Sequence, residues 1–435
     1  MESLWIKTAQ LPRFQKLEHD RNTDVLIIGG GIAGILCALL LREKNVDCML
    51  AEADTICSGV TQNTTAKITV QHGLIYDKLL RKYGADRAAQ YLAANQQALE
   101  KYRELCAGID CDFEEQNAYV YTLDDPGQIE REVRAYRTLQ YPAEYVQHVS
   151  LPVAAKCAVR VPKQAQFHPL KFIGAVAGDL PIYEHTPVLE LLGPHRARTP
   201  SGIITAQRII AATHFPFINK HGFYPVKLYQ ARSYVLALQN TAPVDGMYID
   251  GSGNGLSFRN AGDLLLFGGG GHRTGKKGGG WQELRRDARQ CYPQAAEAAR
   301  WATQDCMTLD GIPYIGQYAP STPDFYVATG FNKWGMTSAM AAAMLLSDLV
   351  CGRENPAGEV FRPSRSILHP QLAVNAFETA VDFLTPATRR CPHLGCALKW
   401  NPQERSWDCP CHGSRFTQEG GLIENPAMRD LELEG

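Results

Sequence analysis

Cys391-Pro392-His393-Leu394-Gly395-Cys396 and Cys409-Pro410-Cys411-His412-Gly413-Ser414 put one Cys–His pair on each of two segments, with 15 residues between the pairs. Thiolate and imidazole are transition-metal ligands. Four such donors can close a tetrahedral Cys2His2 zinc site. The same four can hold a [2Fe-2S] cluster in which two imidazoles replace two thiolates on one iron and raise its potential. Cys391, His393, Cys409 and His412 are the candidate metal ligands, and Cys396 and Cys411 are left over in the same segments.

A second chemistry lies near the other end. Gly29, Gly31 and Gly34 fit G-x-G-x-x-G between an apolar strand-like run, 24–28, and an apolar helical run, 35–41. Glu52 closes the next strand-like run, 46–51, and lies 18 residues past Gly34. That is the strand–turn–helix–strand unit that binds a dinucleotide. The first glycine allows the tight turn, the second lets the backbone approach the pyrophosphate, the third allows helix–strand packing, and the acid takes the ribose hydroxyls. The turn alone does not separate FAD from NAD. Gly268-Gly269-Gly270-Gly271 lacks the following helix and acid, and is expected to be a flexible loop near the active site.

The elements that must position these groups can be read coarsely. Helical periodicity runs over 76–106 with a break near Gly84, and a small-residue helix over 337–350. Strand-like runs occur at 186–191, 209–213, 233–238, 263–267 and 325–328, which implies a mixed sheet in a second lobe. Residues 353–388 carry Pro356, Pro363, Pro370 and Pro386 and read as a linker or wrapping segment. The stripe Met340, Met344, Leu345 and the thiol of Cys306 read as packing.

Composition narrows the class. The formal charge of −1 in 435 residues gives no electrostatic footprint for nucleic acid. No run approaches a membrane helix, and 1–21 lacks a signal-peptide core, so a cytoplasmic protein is expected. Four of the 13 cysteines crowd into the last tenth of the chain, which suggests metal rather than a disulfide framework.

Residues 24–350, with Ile209-Ile210-Ala211-Ala212-Thr213 and the later turn Ala328 to Thr337, resemble the D-amino-acid oxidase and sarcosine oxidase superfamily. Residues 389–428 resemble the Rieske proteins of cytochrome bc complexes. The resemblance implies an α/β, Rossmann-like FAD-binding domain with an interleaved α+β substrate lobe, followed by a small all-β Rieske domain. The expected boundaries are an arm at 1–23, an oxidoreductase domain at 24–352, a linker at 353–388 and the Rieske domain at 389–435. FAD binding falls mainly at 24–75, 160–215 and 305–352, and the substrate lobe at 76–159 and 216–304.

The resemblance also assigns residues. Gly335, Met336 and Thr337 would stand at the flavin pyrimidine, Val188 at the adenine, and Thr64, Thr65, Thr213 and Gly330 elsewhere on FAD. Lys67 would stabilise negative charge at the flavin's N1/N5 edge, or is a surface lysine or pyrophosphate contact. Arg232 would clamp a substrate carboxylate or form a structural ion pair, with His272 and its neighbour Arg273 a further candidate. His72 reads as a base, a flavin tether or a core histidine. His214 stands where such proteins carry glycine. In the Rieske proteins the two extra cysteines form a disulfide, which Cys396 and Cys411 would match, Ser414 would hydrogen-bond a cluster sulfide, and Pro426 matches a third loop. Pro392 and Phe416 replace the usual Thr and Tyr, and Phe416 lacks a phenol hydrogen bond, so a lower potential is expected.

The resulting expectation is a dehydrogenase with FAD and a Rieske [2Fe-2S] cluster. It oxidises a small amine or amino acid and passes electrons singly to a protein or quinone acceptor. A reductase running the other way, and a redox sensor or carrier without its own substrate, are the alternatives.

Overall fold

A computed structural model describes residues 2–218, 221–252 and 255–432. Strand Arg21–Ile28 is apolar over its last four positions and fully buried there, as a central parallel strand must be. It pairs in parallel with Cys48–Ala51 on one side and Gly202–Ala211 on the other. Phe325–Thr329 continues the parallel order beyond Gly202–Ala211, and Ile182–Tyr183 beyond Cys48–Ala51. The helix Ile32–Glu43 covers this sheet, and the alanine-rich helix Gly335–Val350 packs against that helix. Ala339, Ala342 and Ala343 are completely buried, which lets the two backbones approach closely.

The second sheet has nine strands and is mostly antiparallel. Its long members are Ala296–Thr308, Leu228–Gln239, Leu264–Arg273, Glu114–Thr122 and Cys157–Gln166. Residues 160–166 and 305–308, expected with the FAD-binding part, extend strands of this sheet. The helix Tyr76–Cys106 breaks at Gly84, whose φ of 82° is outside the helical region. A four-stranded antiparallel meander, Lys399–Asn401 to Leu422–Glu424, forms the C-terminal all-β module. The chain thus joins a Rossmann-like α/β layer and an interleaved α+β lobe to a small all-β domain.

Two local expectations need correction, and the 353–388 segment gains detail. The four glycines 268–271 are the interior of strand Leu264–Arg273 and not a flexible loop. Glycine is required there by close approach. A Cβ on Gly268 would stand 2.5 Å from Ser257 Oγ, and the segment at Gly279–Gly280 presses on Gly270 from the other side. Val188 is buried, but only Glu190–Leu191 of the run 186–191 is strand. Residues 353–388 contain the helices Gly358–Phe361 and Pro370–Leu384. Pro370 begins the second of these at the first helical position, where its missing N–H costs nothing.

Candidate active site and metal centre

The glycine-rich turn forms a cradle that only glycine permits. Gly29 has φ 108°, and a Cβ there would lie 2.7 Å from the Ala212 carbonyl. A Cβ on Gly34 would overlap the Gly29 carbonyl, so Gly34 is a packing position behind the turn. A Cβ on Gly31 would meet only Thr61 Oγ1, at 3.4 Å; that hydroxyl accepts from Ile32 N at 3.0 Å, and the next N–H groups of Ile32–Glu43 are left to meet an anion. Glu52 Oε2 accepts from Gly30 N at 2.5 Å, and Oε1 accepts from Asp54 N at 2.9 Å. Burial raises the Glu52 carboxyl above its usual range despite these bonds. An acid held this way beside a glycine-rich helix N-terminus fits the ribose and pyrophosphate of a dinucleotide.

From this cradle a cavity of about 1420 Å³ runs between the two sheets. Gly29, Gly31, Glu52, Thr64, Thr65 and Val188 line it, as do Lys67, Thr213, His272, Gly335 and Met336. Gly330 and Thr337 do not. Gly330, at φ 71°, lets the turn pass over the Thr308 methyl. Thr337 is buried and ties its Oγ1 to the backbone N–H and carbonyl of Thr69, at 2.9 and 3.0 Å. Both support the turn rather than line the cavity.

Lys67 reaches the cavity from the two-residue strand Lys67–Ile68 and donates to Thr65 Oγ1 at 3.0 Å. Burial, with the nearby Arg259, pushes its ammonium down to about 7. Arg259 anchors the 64–67 segment by donating to the carbonyls of Thr65 and Ala66, at 2.7 and 2.8 Å. His72 stacks on Trp334 and lies 2.6 Å from the Tyr91 hydroxyl, and burial drives it down to about 3. It is a neutral histidine in the cavity wall. His272 Nδ1 donates to the Arg273 carbonyl, and Nε2 lies 3.1 Å from the Tyr234 hydroxyl.

Asp305 was not anticipated. It projects from Ala296–Thr308 into the cavity and, among the described residues, makes no hydrogen bond and no close ion pair. Burial raises its carboxyl to about 6, with Lys333 and Arg232 opposing. It lies directly across from Ala231 in the neighbouring strand, and nothing local in the sequence marks it.

At the C-terminal module, the two Cys–His segments fold alike. Gly395 N donates to the Cys391 carbonyl at 2.8 Å, and Gly413 N to the Cys409 carbonyl at 2.9 Å, with φ near 81° and 83° at the two glycines. Each turn brings its His beside its Cys. The His393 and His412 rings stand at right angles with centroids 5.0 Å apart. Burial pushes both imidazoles down, to about 4 and about 3, so they are neutral and ready to ligate. His412 Nδ1 is buried with no hydrogen-bond partner among the described residues. Cys391 and Cys409 are buried together, and hydrogen bonding between them holds the Cys391 thiol down to about 7. Two adjacent buried thiols and two neutral imidazoles, one with an orphaned nitrogen, fit the donor set that a mixed Cys2His2 iron–sulfur site needs. Cys396 and Cys411 are disulfide-bonded across the loops. Ser414 hydrogen-bonds Cys391 and accepts from Ala427 N at 2.9 Å, which pins the third loop containing Pro426.

The module sits on the strands that wall the cavity. In Leu228–Gln239, Tyr229, Ala231 and Ser233 line the cavity, while Gln230 and Arg232 point to the opposite face. Gln230 Nε2 donates to the carbonyls of His412 (2.9 Å) and Asn425 (3.2 Å), and its Oε1 lies 3.1 Å from His214 Nε2. His214 has φ 63°, the left-handed conformation that explains why glycine also suits this position. Gln304 donates to the Gly413 carbonyl at 2.8 Å, and Asn425 to the Thr213 carbonyl at 2.7 Å. Phe215 presents its ring to both His393 and His412, with centroids 6.3 and 6.0 Å away. Arg273 donates to the carbonyls of Pro410 and Cys411.

Arg232 is not available to a substrate carboxylate. It is 2% exposed and is gripped by Glu404 and Glu424 of the module, its Nε–Oε1 and Nη1–Oε1 distances being 3.1 and 3.2 Å. Strand alternation turns it away from the cavity, so the ion-pair reading of this residue is the one the geometry supports. Phe215, Gln230, Gln304 and Asn425 escaped sequence reasoning because their partners lie far away along the chain.

Comparison with known proteins agrees with this geometry. The FAD dependent oxidoreductase (DAO) family model matches residues 24–349, and the Rieske [2Fe-2S] domain model matches 380–433. The chain is 34% identical to "Putative Rieske 2Fe-2S iron-sulfur protein YhfW" of Bacillus subtilis, over 99% of this chain and 97% of that one. A stretch of 43 residues, 10% of this chain, is 49% identical to cytochrome b6-f complex iron-sulfur subunit 2 of Trichormus variabilis and spans 24% of it. Among solved structures, glycine oxidase from Geobacillus kaustophilus matches with TM-score 0.65 at 20% identity, over 80% of this chain and all of that one. L-proline dehydrogenase from P. horikoshii matches with TM-score 0.66 at 18% identity, over 80% and 98%. These last two establish the fold. The chain therefore belongs to the DAO family of FAD dependent oxidoreductases and carries, C-terminal to that domain, a Rieske [2Fe-2S] domain.

Proposed function

We propose that this enzyme is a dehydrogenase that oxidises a small amine or amino acid and sends the electrons singly, by way of the Rieske cluster, to an external protein or quinone acceptor. FAD supplies the conversion between two-electron and one-electron chemistry, which a one-electron cluster needs. The observation that carries the reading is the two-faced strand Leu228–Gln239, with one face on the cavity and the other on the cluster loops. Rieske potentials span roughly −150 to +300 mV, which favours electron flow into the cluster rather than out of it.

The cavity's own residues supply the rest. Asp305 offers an unsatisfied carboxylate to a substrate ammonium and, raised to about 6, can take a proton from it. Lys67 places a cation at the cavity wall, where negative charge or a substrate carboxylate is stabilised. His72 and Trp334 exclude water as a flat neutral surface. Gln230, Gln304 and Asn425 fix the position of the cluster loops.

The test is anaerobic flavin bleaching against a panel of amines, amino acids and 2-hydroxy acids, followed by turnover with a one-electron dye. Cys391→Ala should keep bleaching and lose turnover. Unchanged turnover in that variant would make the cluster a bystander. A panel that bleaches nothing, with a flavin that is reduced only through the cluster, would reverse the direction.

A further inference from the structure

The helix Pro370–Leu384 is built inside out. Its polar residues point into the protein: Asn375 accepts from Arg273 at 3.0 Å, and Asp382 meets Lys276 at 3.2 Å and Lys399 at 3.7 Å. Glu378 also pairs with Lys276. Val374, Phe377, Val381 and Leu384, spaced three and four residues apart, form the outward face and are 47%, 68%, 42% and 77% exposed. Phe383, 54% exposed, carries this surface to the first ligand loop, where its ring stands 3.5 Å from the place a Gly395 Cβ would occupy. Leu394, between ligand His393 and Cys396, is 44% exposed. A helix on a globular surface has the reverse polarity, so this face is built for an apolar partner.

The charges identify the partner. Both acids of the helix are turned inward and neutralised, so the outward face carries no carboxylate. Lys276 and Lys399 are used up on those acids, which leaves Arg389 and Arg390, just past the C-terminal end and without a carboxylate partner among the described residues, as the net charge beside this face. Two copies meeting through the same face would bring these like charges together. Anionic headgroups would complement them while the acyl boundary took the side chains. No helix among the described residues is long and apolar enough to cross a membrane, so the element can lie on a bilayer but not span it.

We propose that Pro370–Leu384 docks the protein on an anionic lipid surface, with the helix axis in the membrane plane and the Leu394 loop facing the lipid. This holds whatever the substrate is. It would bring the cluster loop to the surface where a lipid-soluble acceptor resides.

The test is co-sedimentation of the full-length holoprotein with vesicles of phosphatidylcholine alone and with added phosphatidylglycerol. Binding should require the anionic lipid and weaken as salt rises. Phe377→Gln/Leu384→Gln changes two mostly exposed side chains that lie outside both cofactor sites, so flavin and cluster absorbance should be unchanged. Partitioning should fall on the order of a hundredfold. Absence of binding to either vesicle, or a double variant that binds like the wild type, overturns the proposal. So does a dimer in sedimentation velocity that the double variant splits, because a second copy would then be the occupant.

Discussion

Replacing Arg232 by Met separates two accounts of the same residue. In the structure its guanidinium lies between Glu404 and Glu424, and Glu404 also receives Arg415 at 2.8 Å and the Tyr234 hydroxyl at 3.1 Å. Breaking a buried pair by removing one partner costs about 3–5 kcal/mol, because the other charge stays buried. Glu404 keeps Arg415 and Tyr234, so the lower end applies, about 3 kcal/mol, or roughly a hundredfold in the population of undocked or unfolded Rieske module. A urea titration read by visible circular dichroism of the cluster, beside flavin fluorescence, measures this. The cluster transition should move to lower urea and the flavin transition much less. Substrate-driven bleaching of the flavin should keep its KM, because Arg232 faces away from the cavity, while electron delivery to the cluster slows. A KM raised tenfold or more, with the cluster transition unmoved, would restore the carboxylate-clamp role and refute the packing argument.

Three further outcomes follow from the site. Glu52→Ala removes the acceptor for Gly30 N and Asp54 N and should weaken FAD retention by tenfold or more, about 1.4 kcal/mol or above, read as flavin lost on gel filtration. His412→Ala should abolish the cluster's absorbance and bound iron while leaving the flavin spectrum intact; stoichiometric zinc in the unmutated protein would overturn the metal assignment. The Lys67 ammonium titrates near 7 in the fold and near 10.5 when unfolded. The unfolded chain therefore binds the extra proton between those values, and the apoprotein should gain stability as pH rises from about 7 towards 10. Lys67→Met should flatten that rise in denaturation curves at pH 7 and 9.5.

How far the sequence could be read depended on the range of each interaction. Metal ligation and pyrophosphate binding are local. Cys391, His393, Cys409 and His412 lie on two short turns with matching Cys–Gly hydrogen bonds, and Gly29, Gly31 and Glu52 lie within one strand–turn–helix–strand unit. Residue types and spacing suffice to propose such sites. The orientation of a side chain in a two-sided strand is not local. Arg232 and Gln230 point one way and Tyr229 and Ala231 the other, but which face meets the cavity depends on partners such as Glu404, 172 residues further on. Helix 370–384 shows the same limit. Pro370, the prolines at 356, 363 and 386 around it, and its place between two domains read as linker, although Pro370 begins a helix, and only the folded protein reveals that the acids face inward.

That limit has a physical origin with a functional consequence. A strand exposes alternate residues to opposite environments, so one twelve-residue strand, Leu228–Gln239, can serve two redox sites without a connecting loop. Its cavity-facing residues are small or aromatic and leave room for a substrate, whereas its cluster-facing residues are long and polar and grip backbone carbonyls and carboxylates of the Rieske module. The Rieske module needs this grip, because its small sheet buries few apolar side chains of its own. The bonds that stabilise the module are therefore the bonds that hold its histidines against Phe215 beside the cavity. A substitution that loosens the interface should lower cluster stability and electron delivery together, and substrate oxidation at the flavin should be the last property to change.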